Sequence, residues 1–167
     1  MTPFTLVQQF KRTLSNIDSW LTKASAYADS RKFDTAVLLQ SRLAPDMLPF
    51  ARQIQLCSDS AKQAAARVAG KEAPSYEDNE TTLSDLRERI AKTVAYLDTF
   101  KDGDFGGVAE RTVTTPRWKG KSMTAVDYLT QHALPNVYFH ATTAYLILRH
   151  NGVDVGKADF LGPLDQR

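Results

Sequence analysis

The sequence predicts an all-α fold: four long amphipathic helices packed as a bundle, with a short hairpin or irregular insert between the third and fourth. Three observations predict it. Apolar residues recur in steps of three and four through four separate stretches. That pattern fails in one β-branched, turn-rich segment near 108–123. The chain has 167 residues, enough for one substantial core and short for two. One domain over 1–167 is therefore expected.

The first helix is predicted over 3–28, with Thr2 as N-cap and Pro3 at the first helical position. Its seam is Val7, Phe10, Leu14, Ile17, Leu21, Ala24 and Ala28. A connector follows over 31–39, with room for one helical turn. The second helix, 45–69, has the most regular spacing: Leu43, Met47, Phe50, Ile54, Cys57, Ala61, Ala64 and Val68 alternate steps of four and three. Gly70 supplies the left-handed residue that ends it. The polar stretch 71–80 contains Pro74 and reads as a loop.

The third helix, 81–100, carries Leu83, Leu86, Ile90, Val94 and Leu97 on one face, and Thr82 with Asp85 forms a capping pattern at its start. The fourth helical stretch covers 124–150. Pro135 inside it removes a backbone donor and crowds the preceding turn, so a kink or a division is expected there. Arg149 and His150 suit the last turn, Asn151-Gly152 suits the stop, and the apolar tail after Gly156 folds over the bundle end.

Composition narrows the function classes. The 21 basic and 19 acidic residues leave a net charge of +2 and are mixed along the chain, so no nucleic-acid footprint is visible. Cys57 is the single cysteine, which excludes an internal disulfide and a CxxC site. No stretch approaches the roughly 18 apolar residues that a membrane span needs, and the N-terminus lacks the pattern of a secretory signal. A cytoplasmic protein with no nucleic-acid or membrane partner is expected.

The fourth helix carries the informative irregularity. Its seam, continued, reads Val126, Leu129, Ala133, Asn136, His140, Thr143 and Ile147, three consecutive polar positions among apolar ones. If the register survives Pro135, Asn136 and His140 project inward one turn apart. A stripe of Asp46, Gln53 and Cys57 beside the second-helix seam is placed to face them. Buried polar groups need partners, so a hydrogen-bonded core network is the first expectation for His140, and a ligand or catalytic role is the second. Cys57 is expected to be a small core residue. Among the other histidines, His132 is expected on the outer face and His150 at the helix end.

The run Leu134-Pro-Asn-Val-Tyr-Phe-His-Ala-Thr-Thr-Ala-Tyr-Leu-Ile-Leu-Arg-His-Asn-Gly-Val, with Gly156-Lys157, Phe160-Leu-Gly and Asp46-Met-Leu-Pro-Phe-Ala-Arg-Gln-Ile-Gln, resembles a bacterial family known as a domain of unknown function. That family is placed among the DinB-like (YfiT-like) helical proteins, which include metal-dependent thiol transferases and a maleylpyruvate isomerase. The resemblance implies a four-helix bundle and a homodimer. In metal-binding DinB-like proteins three histidines hold the ion, one from the second helix and an HxxxH pair from the last. Here His140 matches the second member of the pair, Asn136 stands in the place of the first, and Gln53 stands in that of the second-helix histidine. Carboxamides replace two imidazoles, which argues against a tightly held zinc or nickel.

Two functional readings follow. One is a helical binding or interaction protein with a degenerate metal site and no cofactor, whose candidate pocket is Gln53, Asn136, His140, Asp46 and Cys57. The other is an enzyme: a metal-dependent transferase or isomerase of the DinB type using His140, with a divalent metal as cofactor, or a metal-free one with His140 as general base and Asp46 or Asp127 as carboxylate. A DNA-repair role fails on the charge distribution.

Overall fold

The computed structural model describes residues 2–164; residue 1 and residues 165–167, at the two ends of the expected 1–167 span, lie outside the described residues. The first helix, α1 (Pro3–Arg31), begins as expected: the Thr2 hydroxyl accepts the Thr5 amide at 3.1 Å, with Pro3 at the first position. Every residue of its predicted seam is at most 1% exposed. It runs three residues past the expected end and stops at Lys32, in left-handed backbone with φ 57°. A single short helix, α2 (Ala36–Gln40), fills the connector and buries Leu38 and Leu39.

The next long helix, α3 (Phe50–Ala69), starts at Phe50 rather than 45. The cause is Pro49, which takes extended backbone (φ −71°, ψ 168°) as the N-cap. A residue before proline is steered away from helical backbone, so Leu48 cannot lead into a helix that includes it. Leu43 is consequently 38% exposed and Met47 only partly covered, while Phe50, Ile54, Cys57, Ala61, Ala64 and Val68 are fully buried. Gly70, at φ 70°, ends the helix by donating its N–H to the Ala66 and Arg67 carbonyls.

In α4 (Leu83–Asp98) the predicted cap closes in both directions. The Thr82 hydroxyl accepts the Asp85 amide at 3.1 Å, and the Asp85 carboxylate accepts the Thr82 amide at 2.9 Å. Leu83, Leu86, Ile90 and Leu97 are buried, and Val94 packs at the margin.

The insert is a hairpin. Strand β1 (Thr112–Thr114) pairs antiparallel with β2 (Ser122–Thr124), placing Val113 opposite Met123. Between them Pro116–Trp118 makes a 3₁₀ turn, and Lys119 and Gly120, both at positive φ, reverse the chain.

The expected disturbance near Pro135 takes an unexpected form. Helix α5 (Ala125–Asp127), capped by Thr124, passes through a π-helical stretch, Tyr128–Ala133, directly into α6 (Leu134–His150). The Leu134 N–H reaches back five residues, to the Leu129 carbonyl. Wider turns keep residues four apart on one face, so the buried line runs Ala125, Leu129, Ala133, Val137, Ala141, Ala144 and Leu148. Val126, expected on the seam, is 48% exposed. Thr143 and Ile147 remain buried, but Asn136 and His140 move to the flank, half-buried rather than pointing into the core.

The tail forms α7 (Lys157–Leu161) and covers the bundle end as expected. Phe160 stacks on Trp20 with centroids 5.7 Å apart, and the Trp20 indole donates to the Asp159 carbonyl at 3.0 Å. In the assembled bundle α1, α4, α3 and α6 follow one another around the core, with α1 and α3 also touching across the diagonal. Alanines 61, 64, 65 and 66, all completely buried, let neighbouring helices approach α3 closely.

Candidate functional site

A cleft of about 600 Å³ opens between α3 and α6 beneath the hairpin turn. From α3 it takes Arg52, Asp59 and Arg67; from the hairpin Arg117 and Trp118; from the π-helical stretch and α6 Tyr128, His132, Asn136 and His140. The displacement of the seam by the π-helical turns is what brings Asn136 and His140 onto this wall. Asp78, in the loop between α3 and α4, closes one side.

On the cleft wall His140 Nδ1 lies 2.8 Å from Oε1 of Gln53, a buried residue outside the lining. The roles in this bond follow from its surroundings. Gln53 Nε2 donates to the Leu48 carbonyl at 2.9 Å, which orients the amide and leaves Oε1, an acceptor only, facing the ring. Nδ1 must therefore donate. Burial, then the nearby Arg52 guanidinium, lowers the His140 pKa below its ordinary value of 6.5. The imidazole is thus neutral near pH 7, protonated on Nδ1, with an open lone pair on Nε2.

His132 occupies the same wall one turn before Asn136. It stacks on Tyr128 (centroids 5.3 Å) and meets Trp118 edge-on (5.4 Å). Asn136 Nδ2 donates to the His132 carbonyl at 2.8 Å. Burial, then Arg67, lowers the His132 pKa from 6.5 as well. Arg67 itself donates to the Tyr128 hydroxyl at 3.1 Å.

The structure sorts the sequence-derived candidates. Gln53 and His140 are in direct contact, and Asn136 shares the cleft wall with His140. Asp46 is corrected: it lies exposed in a turn ahead of α3, away from the cleft, because the helix that would have carried it begins only after Pro49. Cys57 is fully buried in the core, its thiol 3.6 Å from the Val137 carbonyl, and burial pushes its pKa to about 12. It lines no wall of the cleft, because the displaced α6 seam puts Val137 opposite it. Asp127 is engaged at the helix start by Thr124 and Gln131, each at 2.8 Å. His132, expected outside, is a cleft residue; the four-residue spacing of His132, Asn136 and His140 was the available signal. Arg117 and Trp118 were reachable only through the fold of the hairpin.

Among the described residues no group of three or more His, Cys, Asp or Glu side chains is placed to hold a metal ion. None of their helices is long and apolar enough to cross a membrane.

Both lowered imidazoles have a consequence for stability. Just below about pH 6.5 the unfolded chain binds protons that folded His132 and His140 refuse. Their contribution is therefore complete above that pH and declines as the medium is acidified through it. Urea midpoints are expected to fall between pH 7.5 and 5.5, above the range where carboxylates titrate. His140→Gln should flatten that fall, and an equally steep one would remove the imidazole as its source.

The helices, their order and the hairpin together define a mostly helical bundle of the DinB type. The chain is similar to the crystal structure of a DinB family member protein from Shewanella denitrificans, with 47% identity and a TM-score of 0.93 over 96% of this chain and 92% of that one. The chain belongs to the family described as Domain of unknown function (DUF1993), which it matches over residues 4–161. No curated protein matches it.

Proposed function

We propose that this chain is a small-molecule-binding helical domain whose site is the cleft between α3 and α6, with His140 Nε2 as its central polar contact. The observation that carries the reading is the oriented, neutral imidazole on the cleft wall: Leu48 fixes Gln53, and Gln53 fixes His140. Several hundred cubic ångströms is the usual size of a small-molecule site, and this one is lined mainly by polar and charged side chains. The homodimer implied by the resemblance and the cytoplasmic setting expected from the sequence belong to the same proposal.

The donor set does not suit a tightly held zinc or nickel ion. Gln53 already uses its oxygen on His140 and its nitrogen on Leu48. Asn136 directs its nitrogen to the His132 carbonyl. Neutral amide oxygens are weak partners for these metals, and one imidazole cannot replace three. A second reading keeps the cleft and makes His140 a general base, favoured by the same open Nε2 and lowered pKa.

Metal analysis of protein purified without an affinity tag separates these readings from metal-dependent chemistry. The expected result is no stoichiometric zinc, nickel or iron. A full equivalent of any of them, lost in His140→Ala, would overturn the proposal.

A further inference from the structure

We propose that the cleft takes an organic oxyanion, a carboxylate or phosphate borne on a flat ring, held by Arg67 and Arg117 with the ring against Trp118. This rests on the small-molecule reading above and names its ligand class.

The charge arrangement carries the inference. Two carboxylates face the cleft, and both are already paired with cations of the protein. Asp59 is bound by Lys62 at 2.6 Å and by Arg89 at 2.8 Å. Asp78 is bound by Arg52 at 2.5 Å and by Arg89 at 3.1 Å. Those three cations therefore hold the acids that would otherwise neutralise the wall, and Arg89 takes Glu80 as well, at 2.8 Å.

Arg67 and Arg117 are left over. Among the described residues neither makes an ion pair within 4.0 Å. Arg67 is half-buried, and its one protein acceptor among those residues is the Tyr128 hydroxyl. A guanidinium has five N–H donors in a planar fork, so most of its capacity is unused by the described residues, and the side chain lines the cleft. Arg117 approaches from the hairpin tip, exposed and beside Trp118. Over the whole chain positive and negative charge almost cancel, so this local excess comes from placement. Paired guanidinium forks favour carboxylate and phosphate geometry. The half-exposed indole of Trp118 supplies the apolar surface that a bare inorganic ion would not use.

The test is an NMR titration of the full chain with benzoate, phenyl phosphate, benzyl alcohol and benzylamine, following the Trp118 indole and the His132 and Arg67 side chains. Benzoate and phenyl phosphate are expected to shift these signals, with benzyl alcohol and benzylamine far weaker. Arg67→Gln and Arg117→Gln should each weaken the two anions about tenfold, the loss of one charge-assisted contact. Arg117→Gln alters an exposed side chain and keeps the test valid if Arg67→Gln does not fold. Benzyl alcohol or benzylamine binding as well as the anions, or anion affinity unchanged in the variants, would overturn the oxyanion assignment while leaving the small-molecule cleft in place. If no probe of any charge moves a cleft signal, the small-molecule reading itself falls, and this assignment with it.

Discussion

Arg89→Ala should cost about 3–5 kcal/mol of stability, the range for removing one partner from a buried charge cluster. Arg89 is 1% exposed in the middle of α4, and every face of its guanidinium is occupied. It donates to the Ser58 hydroxyl at 2.8 Å, the Glu77 carbonyl at 3.0 Å, Glu80 at 2.8 Å and Asp59 at 2.8 Å. Tyr76 lies 5.5 Å away, ring centroid to guanidinium carbon. Alanine would leave Glu80, itself 8% exposed, without its cation and would release the loop 71–82 from the bundle. Arg87 provides the contrast two residues away. It grips Asp18 through two bonds of 2.8 and 3.0 Å, but both side chains are more than a third exposed, and Arg87→Ala should cost no more than about 1 kcal/mol. Urea denaturation of the two variants measures the difference. Equal losses would mean that the Arg89 cluster is solvated and does not anchor the loop. Because Asp59 and Asp78 belong both to this cluster and to the cleft, the same variant should also loosen the cleft wall.

The contrast between these two arginines shows what sequence alone could reveal. Side chains acting within one or two turns were legible. The Thr2 and Thr82 caps, the Gly70 stop and the seam of α1 depend on spacing and local backbone preference, and each appears where it was expected. The start of α3 departs from the apolar spacing, which continues through 43–49 while Pro49 forbids the backbone to follow it; backbone stereochemistry prevails over periodicity. In α6 the difference is one of phase. A uniform period of 3.6 residues sends Asn136 and His140 inward, and the π-helical turns at 128–133 move them to the flank. That displacement turns a core polar network into a cleft wall, and it also brings His132 in from the surface where it was expected. The Gln53–His140 contact survived because both positions lie on facing edges under either phase. Arg89 carried no signal, since its partners come from α3 and from a loop whose path only the fold determines. For the same reason Arg67 and Arg117, fifty residues apart in sequence, could not be joined across one opening.

Gln53→Glu should reverse the protonation of His140 and with it the chemistry of the cleft. In the native pair an acceptor-only amide oxygen holds a neutral ring, and burial with Arg52 keeps the pKa low. A carboxylate in the same place would favour the imidazolium, because an opposite charge in contact typically raises a histidine by about 1–3 pKa units. The substitution also removes the N–H that serves the Leu48 carbonyl, a loss of about 1 kcal/mol, since Leu48 is 46% exposed and water can take the donor's place. Both effects can be read separately. Long-range nitrogen–proton NMR should show native His140 as the Nδ1–H tautomer at neutral pH and the variant ring protonated on both nitrogens. The stability profile should change sign around neutrality. Native His140 binds fewer protons folded than unfolded, so its contribution is lost on acidification below about pH 6.5. With a raised pKa the variant ring binds more protons folded, so its contribution is present below that pH and declines as the pH rises through the new value. Nε2 would then be a donor instead of an acceptor. A general-base activity would fail near neutrality, whereas an oxyanion bound nearby would be held more strongly. If the variant ring still titrates below 6.5, Gln53 does not set the state of His140, and the oriented neutral imidazole ceases to explain the site.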